Sequence, residues 1–213
     1  MFNSYLRCYH EIMRLLKAEQ VRKSYRRNHV LKGINLAITA GTLTGIVGEN
    51  GSGKSTLLKI LAGELAADHG SAKVAGTIGY CPQEPVINDS LTISEHLAYF
   101  QSAYRLSDHK YADHLLDELN FRKFANERAE HLSGGTKQKL NLTLALIHQP
   151  AVLLLDEPYQ GFDWETYLRF WGIVNELKQN GKAILVISHL VFDQKKFDRI
   201  LKLHDGHLKE TEV

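Results

Sequence analysis

The chain has 213 residues, and 26 Lys plus Arg against 24 Asp plus Glu leave a formal charge of +2. Apolar residues make up 44% and charged residues 23%, which suits a folded globular protein and excludes a disordered one. So small a charge gives no electrostatic case for a nucleic acid partner, and two cysteines, Cys8 and Cys81, are too few for a disulfide framework. No apolar run approaches the roughly 18 residues that span a bilayer.

Residues 1–14 carry Arg7 but no apolar signal core, so they read as a peripheral extension and the protein is expected in the cytosol. Residues 15–21 and 31–38 read as strands, the second from alternating Ile34, Leu36 and Ile38. Residues 42–47 form a short apolar strand that runs into a Gly-rich loop. A helix is expected over 54–61, with Leu57, Leu58 and Leu61 on one face. Residues 77–81 give another short strand.

From about 92 to 148 the pattern turns helical. Thr92 and Glu95 make a capping box, followed by Ile93, Leu97, Phe100 and Tyr104 at helical spacing. Ser107 is expected to cap a second helix bearing Tyr111, Leu115, Leu116 and Leu119. Ser133-Gly134-Gly135 opens a third. Residues 151–155 and 183–187 are strands apolar throughout, and 200–203 a shorter one. Between them Asp163 caps a helix whose Trp164, Tyr167, Leu168, Trp171 and Val174 read as one apolar stripe, stopped by Asn180-Gly181. Strands alternating with helices predict an α/β fold with a largely parallel sheet covered on both faces.

Three segments carry chemistry. Gly48-Glu49-Asn50-Gly51-Ser52-Gly53-Lys54-Ser55 fits G-x-x-x-x-G-K-S/T and sits between a strand and a helix, as that phosphate loop requires. Its glycines let backbone N–H groups turn inward around phosphate oxygens, and the helix N-terminus adds partial positive charge. Lys54 supplies a full charge to the β/γ phosphates and the Ser55 hydroxyl can ligate Mg²⁺. Val152-Leu153-Leu154-Leu155-Asp156-Glu157 brings two carboxylates to a strand end. Asp156 can hold Mg²⁺ directly or through water, and Glu157 can accept a proton from an attacking water. Leu132-Ser133-Gly134-Gly135-Thr136 is a capped helix start and a second anion-binding geometry.

Taken in order, these segments resemble the ATP-binding cassette (ABC) ATPases over about residues 15–208. Residues 48–55 match the Walker A loop, 132–136 the family signature, and Leu155-Asp156-Glu157-Pro158 the Walker B end. The resemblance implies a single domain over 15–213: a RecA-like P-loop NTPase core with an antiparallel β subdomain and an inserted α-helical subdomain at about 84–148. It implies ATP and Mg²⁺ as cofactors. It also implies a head-to-tail pair of cassettes, in which the signature of one meets the γ-phosphate held by the other. Carried over singly, Tyr25 looks like the adenine-stacking aromatic, and Gln83 like the glutamine that senses Mg²⁺ and γ-phosphate. Asp163 looks like the aspartate that crosses the interface, His189 like the switch histidine, and Thr56 completes the Walker A contacts.

Departures stand beside the matches. Thr136 replaces the usual signature Gln, and Tyr159, Gln160 and Phe162 replace the usual Thr, Ser and Leu. The short stretch between Lys54 and Ser133 is more like the small cassettes that serve separate membrane subunits of exporters. The expectation is an ATPase subunit that powers a separate transmembrane permease at the cytoplasmic face of the membrane. The alternative is a soluble ABC-type ATPase acting as a regulatory or assembly switch.

Overall fold

The computed structural model describes residues 14–188 and 195–211. In chain order the elements are strands β1 (Arg14–Tyr25), β2 (Asn28–Thr39) and β3 (Leu43–Val47), then helix α1 (Lys54–Leu61). Strands β4 (His69–Val74) and β5 (Ile78–Cys81) follow, then helices α2 (Ile93–Ala103), α3 (Lys110–Glu118) and α4 (Gly134–Leu146). The chain continues with β6 (Val152–Asp156), α5 (Trp164–Gln179), β7 (Ala183–Ile187), β8 (Arg199–His204) and β9 (His207–Thr211).

Two sheets result. The order β2-β1-β4 is antiparallel, with a tight turn between Tyr25 and Asn28. The order β5-β6-β7-β3-β8-β9 is parallel from β5 to β8 and antiparallel only at β9. This is the P-loop NTPase core with its antiparallel partner sheet. Side chains alternate across the parallel strands, so one apolar run feeds two cores. Val152, Leu154, Ala183, Leu185 and Ile187 face α1 and the antiparallel sheet. Leu153, Leu155, Ile184 and Val186 face the core that also takes in residues of α2 to α5. Both faces of the sheet are therefore covered, as the runs at 151–155 and 183–187 imply.

Helix α2 starts at Thr92 with the expected reciprocal capping box. The cap expected at Ser107 is not found. Helix α3 has His109 at its N-cap without a side-chain bond, and Asp108 Oδ1 accepts from the Lys110 N–H at 3.1 Å instead. A carboxylate beside the helix start takes the free donor that the more distant hydroxyl does not reach. The apolar stripe expected on α5 holds at Trp171 and Val174, with Tyr167 packed against the core, but not at Trp164 and Leu168. Phe170, Trp171, Ile173, Val174 and Leu177 are buried, whereas Trp164 and Leu168 are exposed. The buried set keeps helical spacing from Thr166 onward, one position away from the face that Trp164 suggests.

The site follows from the strand order. The loop after β3 and the loop after β6 leave the same, C-terminal edge of the sheet, separated by β7 alone. Two inter-strand steps put them about 10 Å apart.

Candidate functional site

The phosphate loop is shaped by its glycines. A Cβ on Gly48 would stand 2.5 Å from the Leu203 carbonyl oxygen, so only glycine lets the loop lie on β8. Gly53 caps α1 at φ 101°, and a Cβ there would stand 2.6 Å from Val30 Cγ1. Lys54 is 6% exposed, and its Nζ donates to the carbonyls of Gly48 at 2.8 Å and Glu49 at 2.9 Å. Burial lowers the Lys54 pKa, while the carboxylates of Glu157 and then Asp156 push it back up. Lysine and both acids thus share one electrostatic environment.

A cleft of about 600 Å³ is lined by Asn50, Gly51, Gly53, Lys54, Ser55 and Thr56, by Gln83 two residues past β5, and by Glu157. Val30 and Gln160 complete its described wall. Four segments far apart in sequence therefore meet in one polar hollow. Gly48, Glu49 and Ser52 belong to the same loop but are not among the lining residues, and the Ser52 N–H donates to the Glu49 carbonyl at 3.2 Å. Asp156 is 2% exposed, paired in register with Ile187 at the end of β6. Tyr25 is half exposed beside the β1–β2 turn, outside the cleft lining, with Lys23 Nζ 5.9 Å from its ring centroid. His189 lies outside the described residues.

The residues present fit a phosphate chain and Mg²⁺. Among the described residues, Ser52 Oγ is buried in the loop and has no hydrogen-bond partner. A Cβ on Gly51 would meet nothing within 4 Å, so the loop is open on that side. Ser55, Gln83 and Asp156 offer oxygen donors only, the set that hard Mg²⁺ prefers.

Ser133, Gly134 and Gly135 are not among the residues that line this cleft; Ser133 caps α4 and the glycines open it. Ser133 Oγ accepts from the Thr136 N–H at 3.2 Å and is hydrogen-bonded to Thr136 Oγ1 at 2.9 Å, so Thr136 completes a cap. Gly135 touches the loop after β6: a Cβ on it would stand 2.3 Å from the Gly161 carbonyl oxygen. Further along α4, buried Lys139 donates to Thr166 Oγ1 at 2.9 Å and lies 3.6 Å from Asp163. Asp163 caps α5 by accepting the Thr166 N–H at 2.8 Å. That bond first, and Lys139 with it, holds its carboxyl below the ordinary 3.8.

Sequence reasoning missed the link from α4 to Cys81 and Pro82, the residues just before Gln83. Asn141 Nδ2 donates to the Pro82 carbonyl at 2.8 Å and reaches Cys81 Sγ at 3.3 Å. Burial pushes the Cys81 thiol pKa up, which keeps it a neutral packing group. Asn141 sits in a helix of almost even polarity, and only its place opposite Cys81 marks it out.

The family model described as "ABC transporter" matches residues 31–160, more than half of the chain. The chain belongs to the ABC transporter family. It is 30% identical over 213 residues to the ABC-type transporter ATP-binding protein EcsA of Bacillus subtilis, covering 92% of this chain and 86% of that one. It is 29% identical to ABC transporter G family member 20 of Dictyostelium discoideum, covering 92% of this chain but 29% of that protein. It spans under a tenth of two mammalian relatives that it also matches. Among solved structures, a bacterial ABC transporter cassette determined as a dimer superposes with a TM-score of 0.85 at 26% identity, covering 92% of this chain and 98% of that chain. No helix among the described residues is long and apolar enough to cross a membrane.

Proposed function

We propose that this chain is the ATP-binding and ATP-hydrolysing subunit of an ABC transporter. It works as a pair of cassettes, identical or different, on a separate transmembrane permease, at the cytoplasmic face of the membrane and in the direction of export. The single observation that carries the pairing is that the capped helix tip at Ser133 is not among the residues lining the cleft at Lys54 of the same chain. The similar bacterial cassette is dimeric, and in this reading a second cassette brings such a tip onto the open side of the cleft.

In this reading the loop amides, Lys54, Ser52 and Thr56 hold the phosphates, and Tyr25 stacks on adenine. Ser55, Gln83 and Asp156 hold Mg²⁺, which when bound neutralises phosphate charge. Glu157 accepts the proton of the attacking water, and His189 contacts the γ-phosphate. Ser133, Gly134 and Gly135 of one chain, with Asp163, complete the site of the other. Catalysis is then positioning and charge neutralisation. The stretch at about 84–148, with Gln83 at its entry, carries the motion to the permease.

Glu157→Gln keeps the shape and removes the base. The expected result is intact ATP binding, lost turnover, and an ATP-held dimer by size exclusion with light scattering. Wild-type steady-state turnover in Glu157→Gln would refute its role.

A further inference from the structure

Glu157 occupies an unusual backbone position. Its φ is 48°, in the left-handed region that side chains other than glycine adopt only when their surroundings hold them there. One restraint is the Glu157 N–H, which donates to the Ile187 carbonyl at 3.1 Å. A second lies two residues on. The Tyr159 and Ser188 hydroxyls are hydrogen-bonded at 2.5 Å. The two arms of the turn are therefore fastened to successive residues, Ile187 and Ser188, at the end of β7. Ser188 is itself a firm anchor, 3% exposed and with its N–H donated to the Ile46 carbonyl at 3.2 Å. The Tyr159 ring is fixed as well. Its centroid lies 5.3 Å from that of Tyr167, 5.5 Å from Phe170 and 5.9 Å from Trp171, all on α5.

We infer that Tyr159 is a positioning residue for Glu157: its ring is gripped by α5 and its hydroxyl by Ser188, which together hold the left-handed turn that aims the Glu157 carboxylate into the cleft. The inference rests on Glu157 acting as the general base. Threonine, the usual family residue here, has a hydroxyl but neither the reach nor the ring. The tether is a property of this chain's departure from the pattern. It acts on the chemical step, because the phosphate loop is held by β3, α1 and β8 and does not depend on the turn after β6.

The test compares Tyr159→Phe, Ser188→Ala and the double variant in steady-state ATPase, ATP affinity and thermal midpoint. Tyr159→Phe keeps the ring and deletes the hydroxyl that is hydrogen-bonded to Ser188. It is expected to lower kcat roughly tenfold, within the loss that small misplacements produce, with KM and ATP affinity unchanged. Ser188→Ala should match it, the double variant should be no worse than either single one, and Ser188→Thr should restore turnover. If Tyr159→Phe does not fold, the Ser188→Ala and Ser188→Thr pair decides the question. Wild-type kcat in the hydroxyl-deleted variants, losses that multiply in the double variant, or a loss that follows ATP affinity would overturn the inference. Full turnover in Glu157→Gln would overturn the base assignment and the inference with it. An inactive Glu157→Gln beside a normal Tyr159→Phe would overturn the inference alone.

Discussion

The Asn141 side chain donates to the Pro82 carbonyl across 2.8 Å, which ties the helix opening at Ser133 to the residue before Gln83. One helix thus touches the residue next to Gln83 and carries the proposed second anion site at its tip. Asn141→Leu leaves a partly buried carbonyl without its donor. A loss of about 1–3 kcal/mol in unfolding free energy is expected by denaturant titration, with weaker coupling of Gln83 to nucleotide.

Gly134 and Gly135 are adjacent but answer to different constraints. A Cβ on Gly135 would collide with the Gly161 carbonyl, whereas one on Gly134 would meet nothing within 4 Å. Gly135→Ala should therefore destabilise the isolated chain by about 1–3 kcal/mol. Gly134→Ala should leave its stability within about 0.5 kcal/mol and still lose turnover, because in the proposed pair its open side faces the other chain's phosphate. Thermal melts beside ATPase assays separate the two.

Lys54 is buried and, among the described residues, donates to the Gly48 and Glu49 carbonyls of the loop, so its charge is poised for an incoming anion. Lys54→Ala should weaken ATP binding on the order of 100-fold, the worth of a charge-assisted bond to phosphate, as read by calorimetry.

Asp163 should reveal itself through pH. Its carboxyl is held below the ordinary 3.8 in the folded chain, so its contribution is present above that value and lost as pH falls through the lower folded value. Asp163→Ala should cost about 1 kcal/mol near neutral pH through the lost cap. Asp163→Asn should retain most of the cap, and the wild-type advantage over it should shrink as pH drops below 3.8.

The sequence made the loop at 48–55, the acids at 156 and 157, and the all-apolar strands at 151–155 and 183–187 legible, because each depends on residue types in a fixed local pattern. Strands β4 and β9 were not legible. His69–Val74 and His207–Thr211 expose most of their side chains, and their extended form comes from pairing with β1 and β8. The face of α5 was legible at Trp171 and Val174 but not at Trp164 and Leu168, which are large and apolar yet lie on the exposed side. The links Asn141–Pro82, Gly135–Gly161 and Tyr159–Ser188 join residues distant in sequence, and no local pattern encodes them.

The dependence of ATPase rate per chain on protein concentration bears most directly on the two-cassette reading. With the purified chain and saturating Mg-ATP, turnover per chain should rise as concentration rises, and Ser133→Ala should suppress it at every concentration. A rate per chain that is flat on dilution and indifferent to Ser133→Ala would mean that one copy closes its own site, against everything proposed for the helix tip at Ser133.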